Sequence, residues 1–256
     1  MFGEHDRPSP VQAADMKRYA AVPLLVFASP ALADTPKPKQ PAPALGSIKG
    51  TILFEGEAPE RKPLVRDTDP YCAKTDQLAV DIVVTKGKLK DVLVRIKNGS
   101  GGTHTAPTQG VVIDQRGCMY SPRVVGVVAG QKLAVRNSDG TFHNVHGTVG
   151  GKLLWNKPHS PKDAELSLDA SARPGEVVDV VCDVHPWMHA YAVVMDHPFF
   201  AVTAEDGSFE IKGLAPGSYT LEAWHPSLGT KTLSLKIGTG AKATVPARIS
   251  YKASER

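Results

Sequence analysis

From residue 46 onward the chain alternates apolar and polar residues with a period of two, a pattern that predicts β-strands. Ile48, Ile52 and Phe54 fall on one face of the first such segment. Turn-forming residues separate the segments at short intervals, and the sequence contains 23 glycines and 21 prolines. Helical periodicity never extends beyond two turns. Many short strands with frequent turns are typical of an all-β protein built from sandwiches or barrels.

The length of the chain allows two such sandwiches. It has 256 residues, whereas one β-sandwich needs about 100. Hydrophobic residues make up 41% and charged residues 22%, an ordinary balance for a protein with a buried core. The net charge of +4, with acidic and basic residues interleaved, is too small to predict nucleic acid as a partner.

The N-terminal residues have the pattern of a secretory signal peptide. Lys17 and Arg18 precede the apolar run Ala20–Leu32, which ends in the small residues of a signal-peptidase site. We therefore expect cleavage after Ala33, a periplasmic or secreted protein, and Met16 as the true start. The run is too short to cross a bilayer as a helix, so no membrane span is expected.

Soft metal ligands are concentrated in two segments. In the second segment Cys182, His185 and Met188 bring a thiolate, an imidazole and a thioether into one loop between two predicted strands. The first segment, residues 137–146, adds further imidazoles. Two imidazoles and one thiolate in a plane, with a weak thioether ligand, form a blue-copper site. Such a site transfers electrons and leaves no position open for a substrate, which predicts a protein that is not an enzyme.

Two alternatives remain open from the residues alone. A zinc site would need a fourth ligand such as His146 or His189, with the methionine unused. In an extended segment His146 lies on the face opposite His143, which makes it a poor partner for the same pocket. The other alternative is a core in which the cysteine and methionine are merely buried. His159 is expected in a surface loop.

The spacing of these segments resembles the cupredoxin family of blue-copper proteins, in particular its amicyanin-like and plastocyanin-like members. The resemblance rests on His143-Asn144-Val145-His146 and on Cys182-Asp-Val-His185-Pro-Trp-Met188. The segment Val111–Gln131 is similar to the first cupredoxin strand pair. The resemblance implies a Greek-key β-sandwich that binds one type 1 copper.

The resemblance also assigns roles to individual residues. It implies His143, Cys182, His185 and Met188 as the copper ligands and excludes His146. The residues expected to support them are Asn144, which would tie the two ligand segments together, and Asp183, Pro186 and Trp187 of the ligand loop. Asp183 departs from the family pattern, in which serine or threonine follows the cysteine. Trp187 is expected either to shape the loop or to form part of an exposed docking patch around His185.

The C-terminal segment resembles a second family. Residues 202–235 are similar to the carboxypeptidase regulatory-like domain, a small transthyretin-like β-sandwich, and Gly46-Ser-Ile-Lys-Gly-Thr-Ile matches its opening strand far upstream. This predicts one sandwich built from both ends of the chain, with the cupredoxin domain inserted. The alternative is an N-terminal extension of the cupredoxin and a separate C-terminal module. The predicted divisions are 1–33 (N-terminal extension and signal peptide), 34–45 (proline-rich linker), 46–105 and 198–256 (regulatory-like sandwich), and 106–197 (cupredoxin).

Two cysteines remain outside the ligand set. In an oxidising compartment Cys72 and Cys118 are expected to form a disulfide that attaches the Asp69-Pro70 loop to the first cupredoxin strand. Two buried free thiols are the alternative.

The function predicted from these features is one-electron transfer between redox partners, such as a c-type cytochrome or a dehydrogenase. The alternative is a non-redox copper-binding protein, or a structural β-sandwich that binds a glycan or another protein. The sequence contains none of the common hydrolase, nucleotide-binding or zinc-protease motifs.

Overall fold

The computed structural model describes residues 45–98, 102–238 and 244–253. These residues form strands joined by turns, with one short 3₁₀ turn at Cys72–Lys74, so the prediction of an all-β protein is confirmed. The predicted signal peptide and nearly all of the proline-rich linker lie outside the described residues. Within the described ranges, no helix is long and apolar enough to cross a membrane.

Eighteen strands are present in the described residues. The first four are β1 (Gly46–Glu55), β2 (Val84–Thr85), β3 (Lys88–Leu89) and β4 (Leu93–Asn98). The next nine are β5 (Val111–Gln115), β6 (Tyr120–Ser121), β7 (Val124–Val128), β8 (Lys132–Asn137), β9 (His143–Val149), β10 (Lys152–His159), β11 (Leu166–Asp169), β12 (Val177–Val181) and β13 (His189–Met195). The last five are β14 (Phe200–Val202), β15 (Ser208–Leu214), β16 (Gly217–His225), β17 (Gly229–Ile237) and β18 (Thr244–Lys252).

Strands from both ends of the described chain form one sandwich. In its first sheet β1 pairs in parallel with β18 from Ser47 to Glu55 and antiparallel with β15 and β3. Strand β2 extends the sheet beyond β3. Its second sheet has the order β14-β4-β16-β17. The core between these sheets includes the predicted apolar face of β1 (Ile48, Ile52 and Phe54).

A second sandwich contains β5 to β13. One sheet has the order β10-β9-β12-β13-β7 and the other the order β11-β8-β5-β6. The core between them contains Cys182 and Met188 together with alternate valines and alanines of β12 and β13. Both predicted ligand segments therefore connect to strands of this sandwich.

The two sandwiches pack against each other through the outer faces of one sheet from each. Leu93 of β4 meets Val124, Val193 and Met195 there. Every residue of Val124–Val128 is buried, because β7 has a core on both faces. Gly126 is required in this strand, since a Cβ atom would overlap the ring of Phe200.

His225 makes the stability of the first sandwich sensitive to acid. Burial, together with the nearby charge of Arg123, lowers the pKa of His225 to about 4, whereas an unfolded histidine has a pKa of about 6.5. The unfolded chain therefore binds a proton first, and the folded state loses stability as the pH falls through this interval. The loss is about 1.4 kcal/mol for each pH unit between these two pKa values.

We predict that His225→Asn flattens this part of the pH profile. The asparagine oxygen can accept the hydrogen bond that Ser227 N–H donates to His225 Nδ1 at 3.1 Å, and asparagine does not titrate. Urea unfolding at several pH values from 7 to 4 would measure the difference. Parallel pH profiles for the variant and the wild-type protein would contradict the assignment.

Candidate metal centre

Two imidazoles and one thiol meet at one end of the second sandwich. His143 is the first residue of β9, whereas Cys182 and His185 belong to the loop between β12 and β13. His143 Nδ1 lies 2.9 Å from His185 Nδ1. Cys182 Sγ lies 4.0 Å from the first of these nitrogens and 3.7 Å from the second. All three residues are at most 1% exposed.

These distances suit a single metal ion. Bonds of about 2.0 Å to nitrogen and 2.3 Å to sulfur place trigonal ligand atoms about 3.5 to 3.7 Å apart. The observed triangle needs two small adjustments: the two nitrogens, 2.9 Å apart, must separate, and Cys182 Sγ must approach His143 Nδ1, which lies 4.0 Å away. Within the described residues the three ligand atoms form one of the groups of side chains able to hold a metal ion. The residues present therefore fit a metal ligated by two imidazoles and a thiolate.

The surroundings of Cys182 favour the thiolate that a metal needs. Burial raises the pKa of its thiol, but hydrogen bonds from His143 and from backbone N–H groups outweigh that effect. The pKa of Cys182 consequently lies below its ordinary value. The backbone donors belong to Asn144, Val184 and His185.

Met188 closes the ligand loop. Its backbone N–H donates to the carbonyl of His185 at 2.9 Å, and its carbonyl accepts from Cys182 N–H at 3.3 Å. The side chain is fully buried in the core that contains Cys182. The loop thus folds back on itself and keeps its cysteine, histidine and methionine together.

Asp139 supports His143 from the turn before β9. Its Oδ2 lies 3.0 Å from His143 Nε2 and also accepts from Cys118 N–H at 2.8 Å, while Oδ1 accepts from Gly117 N–H. Burial lowers the pKa of His143, but the hydrogen bond to Asp139 and the nearby Cys182 reverse the effect, and the pKa lies above its ordinary value. Because Asp139 engages Nε2 of His143, the other ring nitrogen, Nδ1, is the one that faces Cys182 and His185.

Asp69 supports His185 in the same way but comes from the connection between β1 and β2, two strands of the first sandwich. Its Oδ2 lies 2.9 Å from His185 Nε2. Burial lowers the pKa of His185, and the hydrogen bond to Asp69 opposes this change without reversing it. The residue belongs to the long connection between β1 and β2, which covers the outer edge of the imidazole.

Asn144 joins the two ligand segments, as the resemblance implies. Its Oδ1 accepts from Asp183 N–H at 2.6 Å, and its Nδ2 donates to Asp183 Oδ2 at 2.7 Å. The carboxylate of Asp183 also lies 2.8 Å from His146 Nδ1, which lowers the pKa of Asp183. His146 is therefore paired at the rim of the site and does not join the ligand cluster.

The predicted disulfide is present between Cys72 and Cys118. Cys72 Sγ lies 3.6 Å from His185 Nε2, so the bridge lies beside the imidazole of His185.

Trp187 is half-buried, and its indole N–H donates to the Cys118 carbonyl at 2.9 Å. Its ring packs at a tilt against His185, which is 1% exposed. The structure favours the interpretation that Trp187 shapes the loop, because the edge of His185 offers no exposed patch. Pro186 is exposed beside it.

Several features of the site were not found from the sequence. Asp69 and Asp139 were not identified as supporting residues, although ligand histidines commonly donate to a carboxylate. The position of Asp139 four residues before His143 was the available signal, while Asp69 gave none because it is 116 residues from His185. The placement of His159 in a surface loop was wrong: this residue is fully buried at the end of β10 and faces His143 across the strand pair.

Comparison with known proteins gave matches to solved structures. A purple cupredoxin from Nitrosopumilus maritimus is 24% identical, with a TM-score of 0.27 over 32% of this chain and 97% of that one. A methionine-to-alanine mutant of amicyanin in the Cu(I) form is 21% identical, with a TM-score of 0.28 over 40% of this chain and 97% of that one. A reduced tryptophan-to-tyrosine mutant of amicyanin is 23% identical, with a TM-score of 0.30 over the same shares. No protein-family model and no curated protein matches the chain.

We predict that removing the disulfide lowers the stability of the folded chain. The bridge spans 46 residues, and on the chain-entropy model such a loop contributes about 4 kcal/mol. The double variant Cys72→Ala/Cys118→Ala should therefore unfold at lower urea concentration than the oxidised wild-type protein. The wild-type protein treated with a dithiol reductant is the matched control. An unchanged unfolding midpoint in both samples would contradict the prediction.

Proposed function

We propose that this protein is an exported one-electron carrier that holds one type 1 copper ion in a cupredoxin-like domain. The observation that carries the proposal is the buried triangle of His143 Nδ1, His185 Nδ1 and Cys182 Sγ. Two imidazoles and a thiolate, with a methionine in the same loop, form the donor set of blue-copper sites. When bound, copper would supply a couple between Cu(I) and Cu(II).

The composition of the site favours copper over zinc. Structural zinc sites use four sulfur, nitrogen or carboxylate ligands. The candidates for a fourth ligand are engaged elsewhere: His146 pairs with Asp183, and His189 contacts Asp179 and Tyr191. Met188 is a soft thioether in the ligand loop; a methionine is the usual weak ligand of blue-copper sites and is not among the usual ligands of zinc.

The protein's own residues would hold the ligands in one arrangement and exclude water. Asp139 and Asp69 orient the two imidazoles, and Asn144 links the ligand loop to β9. The ligand side chains are buried and belong to a close-packed core. A site fixed in this way changes little between oxidation states, which favours electron transfer over catalysis.

The domain division that we propose follows from strand pairing. Residues 106–197 would form the inserted cupredoxin-like domain, and residues 46–105 and 198–256 a regulatory-like sandwich around it. The pairing of β1 with β15 and β18 supports a sandwich shared by both ends of the chain. The proposed location is the periplasm or the extracellular space, on the basis of the signal-peptide pattern and the disulfide. The proposed partners are redox proteins.

We predict that the purified protein binds one Cu(II) and becomes intensely coloured. Cys182→Ser should abolish the colour, because the colour arises from the copper–thiolate bond. Met188→Leu should keep the colour and shift the reduction potential, since leucine preserves volume and removes the thioether. Visible and EPR spectra during Cu(II) titration, followed by voltammetry, would measure these changes.

A blue Cys182→Ser variant would overturn the ligand assignment. Copper binding without reversible reduction and reoxidation would favour the alternative of a non-redox copper-binding protein. Binding of Zn(II) with higher affinity than Cu(I) or Cu(II) would overturn the choice of metal.

A further inference from the structure

The edge of His185 is covered by residues 62–81, here termed the cap segment. Its two ends are joined, since Leu64 N–H donates to the Gln77 carbonyl and Ala79 N–H to the Lys62 carbonyl, both at 2.8 Å. Arg66 fills its interior, 4% exposed, and donates to the carbonyls of Cys72, Thr75 and Gly117. The cap segment is therefore a compact part of the connection between β1 and β2, and it packs on the second sandwich, whose core includes Cys72.

Asp69 within the cap segment is oriented before it meets the imidazole. Its Oδ1 accepts from Tyr71 N–H at 2.7 Å. Its Oδ2 accepts from the Thr141 hydroxyl at 2.8 Å and lies 2.9 Å from His185 Nε2. Rotation of the carboxylate would break a hydrogen bond at each oxygen, because Oδ1 is held by Tyr71 and Oδ2 by Thr141.

This geometry fixes which nitrogen of His185 carries the proton. A carboxylate only accepts hydrogen bonds, so the contact with Asp69 places the proton on Nε2. Nδ1 is then left with its lone pair, and this atom faces Cys182 Sγ and His143 Nδ1. The opposite tautomer would place a proton at the position where a metal must bind.

We propose that Asp69 is a positioning residue for His185, so that the metal centre is completed by the connection between two strands of the first sandwich. The inference extends the proposed function, because the metal that benefits is the proposed copper. Asp139 does the same for His143 from within the second sandwich. The Cys72–Cys118 bridge joins the cap segment to the turn between β5 and β6 and keeps Asp69 in place.

Asp69→Asn tests the proposal with little change in shape. The amide oxygen can still accept from Tyr71 N–H, which places the amide NH₂ at the position of Oδ2. The Thr141 hydroxyl can rotate to accept from that group, but Nε2–H of His185 would face a donor. The variant should therefore favour the Nδ1–H tautomer. Asp67→Asn, an exposed change of the same charge two residues away, is the matched control.

The first measurement uses the metal-free protein. Long-range ¹H–¹⁵N NMR of the imidazoles reports the tautomer directly. We expect Nε2–H for His185 in the wild type and in Asp67→Asn, and a shift towards Nδ1–H in Asp69→Asn. Thr141→Val removes the hydroxyl donor to Asp69 but leaves the carboxylate, so it should keep the Nε2–H tautomer. Asp69→Ala removes the acceptor at Nε2, should shift the tautomer as Asp69→Asn does, and serves as the test if Asp69→Asn does not fold.

The second measurement adds Cu(II) to each variant and compares affinities by competition with a chelator. Loss of a supporting carboxylate typically lowers metal affinity about 10- to 100-fold, and we expect this for Asp69→Asn and Asp69→Ala but not for Thr141→Val or Asp67→Asn. A wild-type tautomer and affinity in Asp69→Asn, or in Asp69→Ala if that variant alone folds, would overturn the proposal. Failure of the wild type to bind copper would overturn the proposed function instead, while the metal-free NMR still decides the role of Asp69.

Discussion

The contact between each ligand imidazole and a carboxylate is the constraint on which the site depends. Two neutral imidazoles can direct Nδ1 at one point only if both protons lie on Nε2, and Asp139 and Asp69 accept them there. In the metal-free protein the 2.9 Å separation of the two Nδ1 atoms is a hydrogen-bond distance, so one of them carries a proton that a bound metal would displace. Without these acceptors, burial alone would leave the tautomers undetermined, and the thiolate of Cys182 would face a mixture of donors and acceptors.

The residues of this site come from two different parts of the chain. The second sandwich supplies the proposed ligands, from the start of β9 and from the loop that joins β12 to β13. The first supplies Asp69 through the cap segment, which the disulfide fixes to the ligand-bearing sandwich. The apolar contact around Leu93 and Val193 holds the two bodies together at another place. A rigid support of this kind suits a centre whose ligands must not rearrange.

Local pattern was sufficient for the strands and for the ligand segments. Alternation predicted the buried face of β1, and the dense soft ligands of residues 182–188 indicated a loop that folds on itself. The pairing of Cys72 with Cys118 followed from elimination. These features depend on neighbours in sequence or on residue types that are rare in the chain, so a single sequence contains enough information to find them.

The remaining features depend on contacts between distant residues. Asp69 is one of 26 acidic residues, and nothing near it in sequence distinguishes it from the others. The cap segment buries His185, so the docking patch expected around that ring is not exposed.

The most direct test of the proposed copper centre is X-ray absorption at the copper edge of the loaded wild-type protein. A copper ion held by Cys182, His143 and His185 should show one short sulfur contact and two imidazole nitrogens; a shell of nitrogen and oxygen without sulfur would contradict this assignment.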